Sequence, residues 1–337
     1  MPNILPETMK ALEITEYSGE SSSFRFIEKQ VPKLKEGQAL VKIHASSINP
    51  SDLMFFRGLY GIKKKLPVVP GFEGSGTVVG LGSASSSLKL GDRVACVAGY
   101  LGDGTFAEYM ATDISNCIPL LDSVSLEEGA MFFVNPLTAY ALLELAKNKN
   151  STGVVQTACA SALGKMIIRL AKGRNLPLLN IVRREDQIEQ VKAEGAEFVL
   201  NSSSPNFDKE FIKLSRKLKI NYFIDAVGGE VASKIFQLSP AETNMVSYGN
   251  LSEESLNIQP GVFIFQKKTI EGFWLNFWIN SLTPEEFSAH SKEAQQLLKS
   301  YFKSDINKRF KLESGFEAIE YYKNNMSAGK ILIKPED

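Results

Sequence analysis

With two histidines and three cysteines in 337 residues, the chain has few groups suited to holding a metal ion. A catalytic zinc needs three His, Cys or carboxylate ligands and an open position, and a structural zinc needs closely spaced thiolates. Cys96, Cys117 and Cys159 are far apart, and the histidines are His44, inside a strand pattern and read as structural, and His290. Three scattered thiols make no disulfide framework, as expected in a reducing compartment, and Cys96 and Cys117 read as small buried hydrophobes. An excess of either charge is also missing: 38 Lys plus Arg balance 38 Asp plus Glu. No net field therefore recruits nucleic acid or an anionic membrane. A small, roughly neutral partner is expected. The N-terminal MPNILPETMKALEI has neither an apolar signal core nor an Arg-rich transit composition. The richest apolar run, 130–146, is broken by Asn135, Pro136 and Glu144 and falls short of the ~20 residues a bilayer requires. The expectation is a cytoplasmic protein, or a mitochondrial one if a transit segment has been removed.

What is present is an ordered change of pattern. The length suggests two domains. From Met9 to about Ile118 short β-like runs, at 10–15, 24–31, 39–45, 76–79, 93–97 and 106–111, are separated by glycine and serine clusters. One long loop, INPSDLMFFRGLYGIKKKLPVVPGFEGSG, carries Pro and Gly at intervals that allow little regular structure, and long ordered loops are often functional. A helical period follows between Leu126 and Lys147, opened by Ser125. Six strands then alternate with helices from Gly153 to Gly272, which predicts a parallel sheet covered on both faces. Helical patterns at 284–302 and 315–325 and a final strand at 330–334 are expected to rejoin the first domain. The fold class is thus α/β: a doubly wound parallel sheet at 126–272, plus a discontinuous β-domain formed by 1–125 and 273–337.

The organising stretch is VVQTACASALGKMIIRLAKGRNLPLLNIVRR, 154–184. It reads as strand, tight turn, helix and parallel strand, the unit whose turn offers backbone N–H groups at a helix N-terminus to a phosphate. Of the usual G-x-G-x-x-G only Gly164 remains, with Ala160, Ser161, Ala162 and Leu163 lining the turn. About 20 residues past such a turn an acidic residue would bind the ribose of NAD. Here Arg183 and Arg184 stand instead, and two guanidiniums suit the 2′-phosphate of NADP(H). The same pair, with Glu185 and Asp186, also fits a solvated charge cluster at a helix start.

INPSD (48–52), PGFEGSG (70–76), GDRV (91–94), GTFAEY (104–109), VNPLTAY (134–140), the QTACASALG turn, SYGN (247–250), GFWL (272–275) and GKILI (329–333) together resemble the medium-chain dehydrogenase/reductase superfamily. The likeness is to its zinc-free branch of quinone oxidoreductases and 2-enoyl thioester reductases. It implies a GroES-like domain beside a Rossmann domain, a cleft between them, and commonly a homodimer. Phe72 stands where the zinc enzymes carry the histidine of G-H-E, so alcohol oxidation through a metal alkoxide is not expected. The reaction left is hydride delivery to an already electrophilic carbon, after which a proton must be supplied.

By the same resemblance, Tyr60 falls at the proposed catalytic tyrosine of the enoyl thioester reductases. A phenol of pKa ~10 stays protonated at neutral pH and can donate to an enolate, although Tyr60 also fits simple packing in a glycine-flanked turn. Asn135 would bond the nicotinamide or the substrate oxygen, or cap the following helix. Tyr248 and Gly249 end a late strand, and Phe273, Trp274 and Leu275 match a segment beside the nicotinamide, or else a buried strand end or dimer edge. Lys330 matches a lysine near the 2′-phosphate, or is a surface lysine opening the last strand. Asp52 and Glu73 are read as scaffolding. A second function class stays open: a nucleotide-binding regulatory or scaffolding protein without turnover, suggested by the glycine-poor turn.

Overall fold

A computed structural model describes residues 5–82, 87–326 and 328–335. In chain order its strands are β1 (Thr8–Ile14), β2 (Phe24–Gln30), β3 (Gln38–Ser47), β4 (Glu73–Leu81), β5 (Arg93–Val97), β6 (Tyr109–Asp113) and β7 (Cys117–Pro119). These are followed by β8 (Val154–Gln156), β9 (Leu178–Val182), β10 (Phe198–Asn201), β11 (Tyr222–Asp225), β12 (Asn244–Ser247), β13 (Thr269–Gly272), β14 (Ile306–Lys311) and β15 (Lys330–Lys334). The chain forms two compact units, Met1–Val134 with Ser304–Asp337, and Asn135–Lys303.

In the first unit β3 is the axis. Its run Ala39-Leu40-Val41, with Ile43 and Ala45, is buried, and the strand is shared by three neighbours. β4 lies along one edge; β6 pairs with the first half of the other edge and β15 with the last two residues. β14 and β15 are parallel, which demands a crossover, supplied by the helix Gly315–Asn324. Met9, Leu12, Phe55, Phe56 and Phe106 share one core with Ile319, Tyr322, Ile331 and Ile333, so the returning segment packs into the first unit. β14 was not expected: INKRFK is an edge strand with only Ile306 and Phe310 half-buried. Within the long loop, Pro50–Phe56 is helical, because Pro50 presets the first turn and the Asp52 carboxylate accepts the Asn49 N–H at 2.8 Å.

The second unit carries, among the described residues, a six-stranded parallel sheet of order β10-β9-β8-β11-β12-β13. The strand order reverses between β8 and β11, the point at which open α/β sheets bind ligands outside their carboxyl ends. Helix Ala162–Gly173 buries Leu163, Met166, Ile167 and Leu170, the i, i+3, i+4 face its sequence period required. Residues 273–303, expected with the β-domain, cluster with this unit. The reason is polar as well as apolar: the Tyr140 hydroxyl donates to Glu293 at 2.6 Å and lies 3.0 Å from His290 Nδ1, and Arg169 Nε donates to the Tyr301 carbonyl at 2.8 Å. Among the described residues no helix is long and apolar enough to cross a membrane.

Candidate active site

β8 delivers the chain to a turn that has kept its shape without most of its glycines. Ala158 takes the left-handed backbone at φ 51°, a conformation costing an alanine ~1–2 kcal/mol that glycine would adopt freely. Ser161 then caps helix Ala162–Gly173, its Oγ accepting the Gly164 N–H at 3.1 Å. Gly164 itself cannot be replaced cheaply: a Cβ there would lie 2.6 Å from the Ala158 carbonyl oxygen and 2.7 Å from that of Cys159. Helix and turn therefore touch backbone to backbone, which brings the first-turn N–H groups and the positive end of the helix to the carboxyl edge of the sheet. Ala160, Ser161, Ala162 and Leu163 all lie at this helix start. Cys159 is buried beneath it, donating to the Ile181 carbonyl at 3.1 Å, and burial pushes its thiol up to about 12.

Two polar side chains, unremarked in the sequence, fasten the floor of this turn. Thr157 Oγ1 donates to Asp225 Oδ1 at 2.6 Å and accepts the Ala226 N–H at 3.0 Å, joining the carboxyl ends of β8 and β11. Asp225 also accepts N–H groups from Val227 at 3.2 Å and Gly228 at 2.9 Å; burial nevertheless raises its carboxyl above the ordinary range. The available signal was a polar residue closing each of two apolar strands, in VVQT and FID.

Arg183 and Arg184 follow β9 directly and are exposed. Their backbone N–H groups both donate to Gln187 Oε1 at 3.2 Å, and Arg184 Nε pairs with Asp186 at 3.1 Å. Both guanidiniums thus stand at the carboxyl end of the strand after the turn. The solvated-cluster reading holds for Arg184 in part, since its partner is the neighbouring aspartate.

At the end of β12, Tyr248 N–H donates to the Asp225 carbonyl at 2.9 Å, and burial, then the Asp225 charge, pushes its phenol pKa up. Gly249 passes so close to Ala226 that a Cβ would sit 2.8 Å from its carbonyl oxygen. Phe273 N–H donates to Ser247 at 2.8 Å, Trp274 stacks edge-on to Phe277 at 5.0 Å, and Leu275 is buried. Asn135 is buried at the first residue of helix Asn135–Asn148.

In the first unit, Tyr60 is half-buried, its ring 4.8 Å from that of Phe72. Beneath this loop lies a buried polar cluster. Glu73 accepts from Ser47 Oγ, from Asn49 Nδ2 at 2.8 Å, from Lys330 Nζ at 3.5 Å and, through its other oxygen, from the Val134 N–H at 2.8 Å. Asp52 accepts the Phe72 N–H at 3.1 Å; burial first, then the Glu73 charge, pushes its carboxyl up to about 7. Both acids are buried and held by donors of the chain itself. Lys330 is 3% exposed, donates to Asn49 Oδ1 at 2.6 Å, and has its pKa lowered by burial. This position differs from both expectations for Lys330: the ammonium is neither at the surface nor available to a phosphate, because three internal acceptors hold it.

A reversal of strand order, a capped helix starting beside it and two arginines after the next strand are the arrangement on which open α/β sheets carry dinucleotides. Comparison with known proteins agrees. Residues 35–122 match the alcohol dehydrogenase GroES-like domain, and 162–295 match the family described as zinc-binding dehydrogenase. The mitochondrial enoyl-[acyl-carrier-protein] reductase of Arabidopsis thaliana is 30% identical over 82% of this chain and 75% of its own length. A crystal structure from Mesorhizobium loti, described as an NADPH:quinone reductase, is 34% identical, covering 98% of this chain and 100% of that one at a TM-score of 0.91. The complex of Etr1p with NADP and crotonyl-CoA is 21% identical over 97% of this chain and 99% of that one, with a TM-score of 0.81 that speaks for the fold alone. The chain belongs to the medium-chain dehydrogenase/reductase superfamily, in its quinone and enoyl reductase branch. Among the described residues no group of three His, Cys, Asp or Glu is placed to hold a metal ion.

Proposed function

We propose that this oxidoreductase uses NADPH to reduce the C=C of an α,β-unsaturated carbonyl compound without zinc, 2-enoyl thioesters being favoured over quinones. The observation that carries the cofactor choice is the pair Arg183 and Arg184 at the carboxyl end of β9, where NAD enzymes place an acid. The turn fits a dinucleotide: Gly164 leaves no room for a Cβ, and small residues precede the Ser161-capped helix. Residues 160–163 would hold the pyrophosphate through backbone N–H groups, and the two arginines the 2′-phosphate. Asn135, Tyr248, Gly249 and Phe273–Leu275 would border the nicotinamide. When bound, the cofactor supplies the hydride.

The remaining chemistry falls to the chain. As negative charge develops on the substrate carbonyl oxygen, the Tyr60 O–H either stabilises the enolate by a hydrogen bond or gives it the proton that completes reduction at the α-carbon, the tyrosinate then being reprotonated from water. Thr157 and Asp225 hold the floor of the turn rigid. The exposed edge strand β13, preceded by Ile264 and Phe265 at 67% and 84% exposure, supports the homodimer that the family implies.

NADPH oxidation with a 2-enoyl-CoA, a simple enone and a quinone, assayed side by side, ranks the substrates; cofactor binding without turnover of any would favour the non-enzymatic alternative. Replacing both arginines with alanine should weaken NADPH roughly tenfold or more and leave NADH nearly unchanged, since a charge-assisted contact contributes ~1.5 kcal/mol even at the low end. Equal loss for both cofactors would remove the 2′-phosphate assignment. Tyr60→Phe should lower kcat with NADPH affinity intact, and an unchanged kcat would assign the proton to another donor.

A further inference from the structure

In a chain without net charge, residues 53–72 contain no acid and four bases, Arg57, Lys63, Lys64 and Lys65. The three lysines are not equivalent. The Tyr17 hydroxyl clamps the backbone of Lys64 from both sides, accepting its N–H at 2.7 Å and donating to its carbonyl at 2.8 Å. Held this way, Lys64 turns inward: the residue is 7% exposed and its ammonium donates to the Gly102 carbonyl at 2.6 Å. Burial lowers its pKa to about 8, with Asp103 opposing. Burial alternates along this segment, Ile62 and Lys64 in, Lys63 and Lys65 out. In an extended segment alternate residues share a face, so the two outward ammoniums leave the same side of an anchored backbone.

We propose that Lys63 and Lys65 form a phosphate-binding face on the Tyr60 loop that takes the phosphates of coenzyme A. The inference rests on the enoyl thioester reading of this enzyme. Lys63 and Lys65 follow Tyr60 by three and five residues, so they lie at most ~10–18 Å from it along the chain, within reach of the flexible pantetheine arm joining a thioester at Tyr60 to phosphates at the lysines. Lysine suits this task as a point charge for phosphate, and the Tyr17 clamp reduces the backbone freedom that binding would otherwise have to remove. Quinones and simple enones carry no such anion, so the face selects among the substrates the family's chemistry permits.

The test compares crotonyl-CoA with crotonyl-pantetheine, which lacks the phosphates, on the NADPH-saturated full chain. In Lys63→Glu/Lys65→Glu, KM for crotonyl-CoA should rise by about two- to thirtyfold, the range for two exposed ion pairs, while kcat/KM for crotonyl-pantetheine stays unchanged. The wild-type KM for crotonyl-CoA should also rise with salt, as screening requires. Equal losses on both thioesters, or no loss on either, would overturn the phosphate face while leaving thioester reduction standing. A loss confined to a carrier-protein thioester would overturn it too, in favour of a protein partner. Absence of turnover with either thioester would instead sink the substrate reading on which it rests.

Discussion

Replacing Lys330 with methionine tests the buried cluster most directly. The Lys330 side chain is 3% exposed and that of Glu73 is fully buried. Methionine fills much of the lysine stem but leaves Glu73 and Asp52 without their cation, and Asn49 Oδ1 without its donor at 2.6 Å. Removing one partner of a buried pair costs ~3–5 kcal/mol, against ~0–1 kcal/mol for a surface lysine. At roughly 2–4 °C per kcal/mol, the melting temperature should fall by ~6–20 °C, read by calorimetry or dye fluorescence. The loss should depend on pH in a stated direction. Without Lys330 the Asp52 carboxyl loses a charge that lowers it and is raised further, and a group raised in the folded state stabilises at low pH and loses that contribution as pH rises through its folded value. The deficit should therefore be larger near about pH 8 than near about pH 5.5. Lys330→Met/Glu73→Gln should recover part of it, because the orphaned charge is gone. A deficit under ~1 kcal/mol, or a selective loss of NADPH over NADH, would refute the reasoning and return Lys330 to the surface or to the 2′-phosphate.

Two further outcomes follow from the same geometry. Gly164→Ala should cost ~1–3 kcal/mol of stability and weaken NADPH, because its Cβ meets two carbonyl oxygens within 2.7 Å; a variant with unchanged melting and NADPH titration would show that the turn relaxes freely. Asp52, raised to about 7, holds a proton between about pH 4 and 7 that the unfolded chain has released, so stability from this group is full below that window and lost as pH rises through it. Asp52→Asn should flatten the wild-type decline in melting temperature between about pH 5 and 7.5, and an unaltered slope would place the titration elsewhere.

The parallel sheet was legible in the sequence because its strands, buried on both faces, read as apolar runs such as LLNIV between amphipathic helices. The turn was legible from context even with Ala158 where a glycine would relieve strain. β14 was not, since a solvated edge strand rich in Lys and Arg carries no inward period. Nor was the position of Lys330: the side chains that bury it, Ser47 and Asn49, lie 283 and 281 positions away, beyond the reach of any local pattern. Residues 273–303 were misplaced for a related reason, because Tyr140 and Glu293, which fix them, are 153 positions apart. Thr157 and Asp225 escaped notice as ordinary polar strand ends until their 2.6 Å contact joined them.

The last two residues of β3 acquire their partner on one edge only when β15 is made. At a synthesis rate of ~5–20 residues per second, Ser47 waits on the order of 15–60 s before Lys330 leaves the ribosome. Throughout that interval the nascent β-domain holds an incomplete sheet and the Glu73 carboxylate lacks its cation. The nucleotide-binding unit, drawn from one unbroken stretch, can fold in the meantime. Cells making this protein thus face a window of exposure set by gene order within a single chain, and slow translation or premature termination before Lys330 would lengthen it or leave it permanently open.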